Sequence, residues 1–553
     1  MERTSTLENA TRTRDLDGMT DSVWWKRGVI YQIYPRSFQD TNDDGVGDLK
    51  GIAERLDYLK WLGIDAIWIS PVYPSPMADF GYDVSDYCNI DPLFGSLDDF
   101  DCLVAAAHER EIKVILDFVP NHTSNQHPWF LESRSSRSSP QRDWYIWRDG
   151  KPNGLPPNNW LSQFGGPAWT LDALTGQHYL HSFLREQPDL NWRNPAVRAA
   201  MYDVLRFWLA RGVDGFRVDV VWLLIKDAEL RDNPPNPNYR PDEPGIHRFL
   251  PVYSADQAET HDVIAEMRNV LDQYDERVLI GEIYLPIERL VTYYGKDLKG
   301  AHLPFNFQLI RTAWTAPAIA KLITDYEAAL PPGGWPNWVL GNHDQPRIAA
   351  RVTAAQARIA AMLLLTMRGT PTMYYGDELG IGNVMIPPEA MQDPWEKNEP
   401  GLGLSRDPSR TPFQWDGTPN AGFSDGVPWL PLDPEYRSCN VESLRKDSTS
   451  ILSLYWRLLS LRRQYPALNS GTLLLVSVQG NVLAFERTAG DQRILVYLNF
   501  GGTTQPISDQ ALSGSTILAS TYLDRSGRLD DLVLRPNEGL TILMKKTART
   551  PCA

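Results

Sequence analysis

Cysteine is scarce in this sequence. The chain of 553 residues has only four, Cys88, Cys102, Cys439 and Cys552. Their spacing fits neither a zinc site nor a disulfide framework, because both need closely grouped cysteines. Isolated thiols are typical of proteins from a reducing compartment, so we expect a cytoplasmic location.

Long apolar runs and excess basic charge are also absent. No apolar stretch of the sequence is long enough to span a membrane. Residues 1–21 hold no hydrophobic signal segment and are predicted to be a flexible tail. There are 54 Lys and Arg against 69 Asp and Glu, which gives a net charge of −15. Nucleic acid and anionic membranes both require basic surfaces, so neither is an expected partner.

Eight short β-rich runs alternate with helical patterns along most of the chain. The helical patterns at 49–63 and 196–212 both end in glycine, as helices commonly do. No glycine-rich phosphate turn follows the first strand, which argues against a doubly wound dinucleotide-binding fold. The pattern therefore predicts a (β/α)₈ barrel, a TIM barrel of the α/β class. The eight predicted strands cover 29–35, 66–72, 113–119, 215–221, 278–284, 304–310, 338–344 and 371–377.

Two segments interrupt this alternation and define further domains. Residues 123–189 are rich in Trp, Pro, Asn and Gly, and are predicted to form a small inserted domain after strand 3. From 473 to 553 the pattern changes to short strands, which predicts a C-terminal all-β sandwich domain. The barrel itself is then assembled from 22–122 and 190–472. A polar loop at 226–245 is expected to wall the site, since long loops are uncommon unless functional or disordered.

Three strands end in a carboxylate: Asp219, Glu282 and Asp344. A single acidic residue at a strand end is more often a cap or an ion-pair member, but here the pattern repeats at several strand ends that converge in a barrel. Arg217 lies two residues before Asp219, on the same strand face, and favours its ionised form. Glu282 follows an apolar run and is suited to keep a proton. Retaining glycoside cleavage uses two carboxyls roughly 5 Å apart, one attacking and one donating a proton.

Five motifs give the chain a specific resemblance: DFVPNH (117–122), QPDLN (187–191), GFRVDVV (215–221), GEIY (281–284) and LGNHDQPR (340–347). Together they resemble the α-amylase superfamily, glycoside hydrolase family 13, and QPDLN resembles its α-glucosidase and oligo-1,6-glucosidase branch. The resemblance implies that Asp219 is the nucleophile, Glu282 the acid/base and Asp344 the stabiliser of the distorted sugar ring. It also implies that Arg217, His122 and His343 bind hydroxyls of the same glucose.

The same resemblance implies a closed glucose pocket. Asp79 would grip the terminal glucose and Tyr82 would stack beneath it, with Arg410 as the partner of Asp79. Phe164, Phe183 and Gln187 would line the pocket. Without the resemblance, Tyr82 and Phe183 are equally well explained as core aromatics. A carboxylate–guanidinium pair at the pocket base predicts an exo-acting enzyme that releases one glucose at a time.

The segment DTNDDGVGD (40–48) alternates oxygen-bearing side chains around Gly45. Asp40, Asn42, Asp44 and Asp48, with the Val46 carbonyl, are spaced somewhat as in a calcium loop, but the closing glutamate of an EF-hand is replaced by Gly51. A solvated acidic turn is the alternative. The resemblance implies a structural Ca²⁺ or Mg²⁺ site, and no catalytic cofactor is expected.

Two residues give opposite indications of the bond that is cleaved. Gly341 resembles maltase-type α-1,4 enzymes, whereas Val220, directly after Asp219, resembles enzymes that favour α-1,6 bonds. We favour α-1,4 cleavage of a disaccharide or short oligosaccharide by a monomer or homodimer, with glucosyl transfer to other acceptors. The alternatives are an oligo-1,6-glucosidase, a sucrose- or trehalose-forming isomerase or transferase, and a non-catalytic relative from a transporter.

Overall fold

The computed structural model describes residues 23–507, 512–529 and 533–545, and its largest sheet has eight parallel strands. Strands one to six pair in chain order, the seventh pairs with the eighth, and the eighth pairs with the first. A parallel bridge between Asn306 and Trp338 joins the sixth strand region to the seventh and closes the barrel. The predicted (β/α)₈ fold is confirmed. The strands are Ile30–Ile33, Ala66–Ile69, Lys113–Phe118, Gly215–Val218, Val278–Gly281, Leu303–Pro304, Asn337–Val339 and Thr370–Tyr374.

Helices with well-defined ends surround this sheet. Ser96 and Asp99 form a capping box that begins one helix, and Gly63, with φ 105°, ends another in the left-handed conformation. Their apolar faces pack against the strands in one large buried cluster. The longer helices are Leu49–Glu54, Leu56–Leu62, Leu97–Glu109, Pro195–Ala210, Thr260–Leu271, Ala316–Ala329, Ala354–Thr366 and Ile451–Gln464.

The sixth strand is much shorter than the sequence predicts. Only Leu303–Pro304 is extended, and a helical turn already occupies Gln308–Arg311. The Asn306 side chain accepts the Gln308 N–H at 3.0 Å and so turns the chain. Phe305 and Phe307 are both buried, so their alternation imitates a strand although the backbone leaves the sheet.

The inserted segment between the third and fourth strands has its own small sheet. Its antiparallel strands are Trp147–Arg148, Trp169–Asp172 and Gln177–Leu180, preceded by the helix Pro128–Ser135. Phe130 stacks on Trp147, and the Arg142 guanidinium lies 3.5 Å from the Trp147 ring centre. These aromatic contacts give the insertion a core that lies over one side of the barrel mouth.

The C-terminal domain is antiparallel and begins at Thr472, one residue before the predicted boundary. It contains a six-stranded sheet and a separate two-stranded sheet. Gln356, on a barrel helix, donates to the Asn537 side chain at 2.6 Å and helps to fix the domain against the barrel. The six strands are Thr472–Gln479, Val482–Ala489, Gln492–Asn499, Gly539–Leu543, Thr516–Ser520 and Gly527–Arg528, and the pair is Gln505–Pro506 with Val533–Leu534.

In the described part of the chain, no helix combines the length and apolar character that crossing a bilayer requires. Cys88, Cys102 and Cys439 are free thiols. The predicted tail at 1–21 and Cys552 lie outside the described residues.

Candidate active site

Three carboxylates meet one buried guanidinium where the third, fourth and fifth barrel strands end. Arg217 Nη1 lies 2.8 Å from Asp117 Oδ1 and 2.7 Å from Asp219 Oδ1. Its Nη2 lies 2.7 Å from Glu282 Oε2. Arg217 pairs in register with Asp117, and the two-residue spacing puts Asp219 on the same face. The nucleophile and acid/base candidates thus contact the same cation.

Burial dominates the electrostatics of this cluster. It raises the pKa of Asp219 well above the usual range, with Glu282, Asp117 and Asp344 adding to the effect and Arg217 opposing it. Burial also raises the pKa of Glu282, opposed by Arg217 and the Val220 N–H and reinforced by Asp344 and Asp117. The sequence-based expectation that Arg217 keeps Asp219 ionised therefore describes only one of two opposing effects. Arg217 lowers the pKa of Asp219, but burial and the neighbouring carboxylates raise it, and Arg217 is shared among three carboxylates. Because the charge of each carboxylate acts on its neighbours, the carboxylates of this cluster titrate together rather than independently.

Asp344 lies in a different electrostatic environment. Its Oδ1 lies 2.9 Å from Arg410 Nη2 and 3.3 Å from Arg406 Nη1. Burial alone would raise the pKa of Asp344, but the surrounding cationic groups lower it below its usual range. Because burial also lowers the pKa of His343 and keeps that ring neutral, the arginines carry this effect. Asp344 therefore stays ionised at neutral pH.

The assignment of Arg410 as partner of Asp79 is wrong. The partner is Arg406, whose Nη2 lies 2.8 Å from Asp79 Oδ1. Arg410 instead donates to Asp344 and, through Nε, to the His343 carbonyl at 2.8 Å. Arg410 lies four residues after Arg406 in the chain and remains part of the site through its contact with Asp344.

A second acid, Asp393, orients Arg406. Its side chain accepts from Arg406 Nε at 2.9 Å and from Nη2 at 2.8 Å. Burial opposes this, yet the Arg406 charge and hydrogen bonds bring the pKa of Asp393 down to about 2. Asp393 also caps the helix Pro394–Asn398 by accepting the Trp395 N–H. The guanidinium lies 4.7 Å from the Phe164 ring centre and so reaches the inserted domain.

His343 and Tyr82 form a stacked, hydrogen-bonded pair at the pocket base. Their rings are 5.3 Å apart and nearly parallel, and the Tyr82 hydroxyl lies 2.7 Å from His343 Nε2. His343 Nδ1 lies 2.7 Å from Gln32 Nε2, an amide donor, so the ring proton is assigned to Nε2. The Tyr82 hydroxyl then donates to Asp117 Oδ2 at 3.0 Å.

His122 and Gln187 connect the insertion to Asp79. Gln187 Nε2 lies 3.2 Å from Asp79 Oδ2 and 3.1 Å from His122 Nε2. Burial lowers the pKa of His122 to about 4, so the ring is neutral at pH 7. Phe183 packs on His122 at 5.2 Å, and Phe164 packs on Phe183 at 5.7 Å. All the predicted catalytic and substrate-binding residues therefore lie in one place.

These side chains surround a cavity of about 460 Å³. Asp79, Asp219, Glu282 and Asp344 line its floor, while Gln187, Arg217, His343 and Arg410 lie behind that lining. The outer wall includes Trp160 and Phe164 from the insertion, Trp395, and residues of the polar loop, which extends past the predicted end at 245. The loop residues that line the cavity are Asn233, Asn236, Ile246, His247, Phe249, Leu250, Pro251 and Ser254.

The 40–48 loop lies away from this cavity and packs against 423–429. Asp40 and Asp48 are buried, and the donors to their carboxylates are neutral. Asp40 accepts N–H groups of Asn42, Asp43 and Gly45 and the Ser424 hydroxyl, and Asp48 accepts from Thr41 and Gly51. Two buried carboxylates with neutral donors fit the chemistry of a hard cation. The described residues do not, however, bring three His, Cys, Asp or Glu side chains together as a ready-made metal centre.

Sequence reasoning missed three residues of the site. Asp117 stands in the DFVPNH motif, but the motif alone assigns it no role. Its position at the end of a strand, as for Asp219 and Glu282, is the signal that points to the site. Arg406 stands four residues before Arg410, and no periodicity in that segment separates the two. Asp393 carries no signal, because its importance comes only from Arg406.

The protein is a closed parallel barrel with paired carboxylates at the C-terminal ends of its strands. The carboxylates lie in a pocket bordered by aromatic rings and polar groups. This is the architecture of a glycoside hydrolase. The comparisons with known proteins agree. Residues 32–471 match the family model described as the α-amylase catalytic domain. The chain belongs to the α-amylase family, in its α-glucosidase branch.

Individual relatives support this membership. A probable α-glucosidase of Rhizobium meliloti is 42% identical over 495 residues, covering 87% of this chain and 90% of the relative. An oligo-1,6-glucosidase of Parageobacillus thermoglucosidasius is 38% identical over 561 residues, covering 94% and 98%. The crystal structure of the α-glucosyl transfer enzyme XgtA superposes with a TM-score of 0.89 at 39% identity, covering 95% of this chain and all of that one.

Proposed function

We propose that the protein is a retaining, exo-acting α-glucosidase that releases glucose from the non-reducing end of short α-glucosides. Maltose-like α-1,4 substrates are favoured, and sugar acceptors compete with water for the glucosyl group. The observation that carries the proposal is the contact of Asp219 and Glu282 with one guanidinium, beside a pocket base closed by the Asp79–Arg406 pair.

In the first step the proposed nucleophile is Asp219. Its Oδ1 is engaged by Arg217, so Oδ2 attacks the anomeric carbon. The C1–O bond breaks as Glu282 transfers its proton to the departing glycosidic oxygen. The Val220 N–H donates to Glu282 Oε2 at 2.9 Å, which leaves Oε1 to carry that proton. The product is a glucosyl ester on Asp219 and a free leaving group.

In the second step Glu282, now ionised, takes a proton from water or from a sugar hydroxyl. The resulting oxygen nucleophile attacks C1, and the ester bond to Asp219 breaks. Asp344, held ionised by Arg406 and Arg410, stabilises the positive charge that develops on the ring. Water gives hydrolysis, and a sugar hydroxyl gives transfer.

Two substitutions test the roles. We expect Asp219→Asn to release glucose at a rate several orders of magnitude below the wild type, and near wild-type release would exclude Asp219 as the nucleophile. We expect Glu282→Gln to lose about 10²–10⁴-fold with maltose but much less with an activated aryl α-glucoside, which needs no proton to depart. Equal loss on both substrates would argue against its role as acid.

The second candidate is an α-1,6-directed or isomerising enzyme of the same chemistry. It is favoured by Val220, which lines the cavity beside Asp219, and by the similarity to an oligo-1,6-glucosidase and to a glucosyl transfer enzyme. Product analysis with maltose, isomaltose and sucrose separates the candidates. Fastest glucose release from maltose supports the first, fastest release from isomaltose supports the second, and rearranged sucrose indicates an isomerase.

We also propose that the 40–48 loop holds a structural Ca²⁺ or Mg²⁺ through Asp40, Asn42, Asp44, Asp48 and the Val46 carbonyl. The support is the burial of Asp40 and Asp48 with neutral donors. A chelator should lower the thermal midpoint of the wild type, and added Ca²⁺ should restore it. The midpoint of Asp40→Asn should respond less, and identical responses of both proteins would place any metal elsewhere. A cytoplasmic location is proposed from the free thiols of the three described cysteines.

A further inference from the structure

A single carboxylate joins three separate segments at the outer wall of the cavity. Glu399 follows the helix Pro394–Asn398, and its Oε1 accepts the Gly245 N–H at 3.0 Å. Its Oε2 lies 3.3 Å from Trp395 Nε1, a donor on its own segment. Its stem packs on Gly165 of the insertion so closely that a Cβ at Gly165 would lie 2.7 Å from Glu399 Cγ.

Gly245 belongs to a projecting part of the polar loop, the mouth ribbon (234–250). The ribbon is paired at its base, where the Leu250 N–H donates to the Pro234 carbonyl at 2.9 Å, and Pro235 bridges Phe249. Its far end is largely exposed, whereas Ile246 and Phe249 are half-buried and line the cavity. A ribbon with so little buried surface depends on few contacts for its position.

Glu399 is itself fixed to the sugar-binding part of the site. Trp395 packs against Phe164 with the ring centres 5.6 Å apart, and the helix that carries Trp395 is capped by Asp393, which orients Arg406. Arg406 pairs with Asp79 at the pocket base. A continuous chain of contacts therefore runs from Asp79 at the pocket base to Glu399 and ends at Gly245 of the mouth ribbon.

We propose that Glu399 is a specificity-determining latch, which holds the mouth ribbon against the insertion and so limits the length of substrate that the cavity accepts beyond the first glucose. The inference rests on the proposed α-glucosidase function and deepens it. Glu399 touches no reacting atom. It acts by fixing Gly245 and, through it, the position of Ile246 and Phe249.

The principal test compares Glu399→Ala and Glu399→Gln with the wild type. Alanine removes the acceptor for the Gly245 N–H, whereas the glutamine carbonyl can still accept it. We expect kcat/KM for maltotriose relative to maltose to rise roughly five-fold in Glu399→Ala, the change that corresponds to the loss of one ordinary hydrogen bond. Glu399→Gln should stay within two-fold of the wild type. Glu389→Ala, which removes an exposed carboxylate from the same segment, is the matched control.

A second measurement does not depend on activity. Arg248 is exposed on the mouth ribbon and is followed by Phe249, so trypsin can cleave there when the ribbon opens. Cleavage at this bond, followed by the masses of the two fragments, should be several-fold faster in Glu399→Ala and unchanged in Glu399→Gln and Glu389→Ala.

The outcomes separate the two proposals. If the wild type releases glucose but Glu399→Ala keeps both its substrate ratio and its cleavage rate, the latch is refuted. Faster cleavage with an unchanged ratio refutes the specificity role, and a Glu399→Gln variant that behaves like alanine refutes the hydrogen bond as the cause. A wild type inactive on every α-glucoside overturns the proposed function, while proteolysis still shows whether Glu399 holds the ribbon.

Discussion

Replacing Arg406 by methionine is the most direct test of the pocket base. Arg406 contacts Asp79 and Asp393 at 2.8 Å each and Asp344 at 3.3 Å. Asp79 and Asp393 are almost completely buried, so Arg406→Met leaves two carboxylates without their cation in a medium that solvates charge poorly. Methionine fills most of the volume, so the result reports on charge more than on a cavity.

The magnitude follows from this burial. Breaking one buried ion pair by removing a partner costs about 3–5 kcal/mol of unfolding free energy. The two pairs share one cation, so their costs are not additive, and protonation of Asp79, whose pKa burial already raises, limits the total. We therefore expect a loss of about 3–5 kcal/mol for Arg406→Met. Arg410→Met should cost less, because Asp344 is partly exposed and keeps Arg406.

A double-mutant cycle assigns the partner of Asp79. Asp79→Asn combined with Arg406→Met should show a coupling of about 2 kcal/mol, whereas the cycle with Arg410→Met should show well under 1 kcal/mol. Denaturant unfolding and kcat/KM on an aryl α-glucoside provide two independent readouts. A coupling of Asp79 with Arg410 equal to or larger than that with Arg406 would refute the reasoning and restore the sequence-based assignment.

Three further outcomes are expected. The plot of wild-type kcat/KM against pH should be bell-shaped, because the acidic limb reports protonation of the nucleophile and the alkaline limb reports loss of the proton from the acid. In Glu282→Gln the alkaline limb should vanish, and its survival would point to another acid. Lys226→Met removes the cation that lies 2.6 Å from buried Asp189 and should lower the unfolding free energy by about 3–5 kcal/mol. Adding Asp189→Asn should restore part of that unfolding free energy, and unchanged denaturant midpoints would contradict the prediction. In Gly215→Ala the new Cβ would overlap the Val278 carbonyl on the neighbouring strand, so the thermal midpoint should fall. The pH profile of the folded variant should stay unchanged, and a shifted profile would mean that the strain reaches the site.

The sequence predicts the barrel and its carboxylates well because both depend on short-range patterns. An apolar run that ends in a charged residue identifies a strand and the end that faces the site. The two-residue spacing of Arg217 and Asp219 then determines that they share a face. The sixth strand is the exception, since Phe305 and Phe307 alternate like strand residues while Asn306 turns the chain.

The pocket base is less predictable because long-range contacts determine it. Arg406 and Arg410 lie in an irregular segment, where no period indicates which side chain reaches Asp79. Asp393 determines which arginine reaches Asp79, because it binds Arg406 from thirteen residues away. No pattern in the sequence indicates this role of Asp393. The proposed role of Glu399 at the mouth ribbon depends on Gly165 and Gly245, which are still further away in the chain.

The balance of charge around Arg217 connects the fold to the proposed chemistry. One guanidinium faces three buried carboxylates and cannot compensate all of them, so burial raises the pKa of Asp117, Asp219 and Glu282 alike. Asp117 is the best stabilised as an anion, since it also accepts from the Tyr82 hydroxyl and the Trp68 ring N–H. Asp219 and Glu282 have fewer such donors and are therefore the better places for a proton. In the proposed reaction the proton must sit on Glu282, because Asp219 attacks as an anion and the leaving group takes its proton from Glu282.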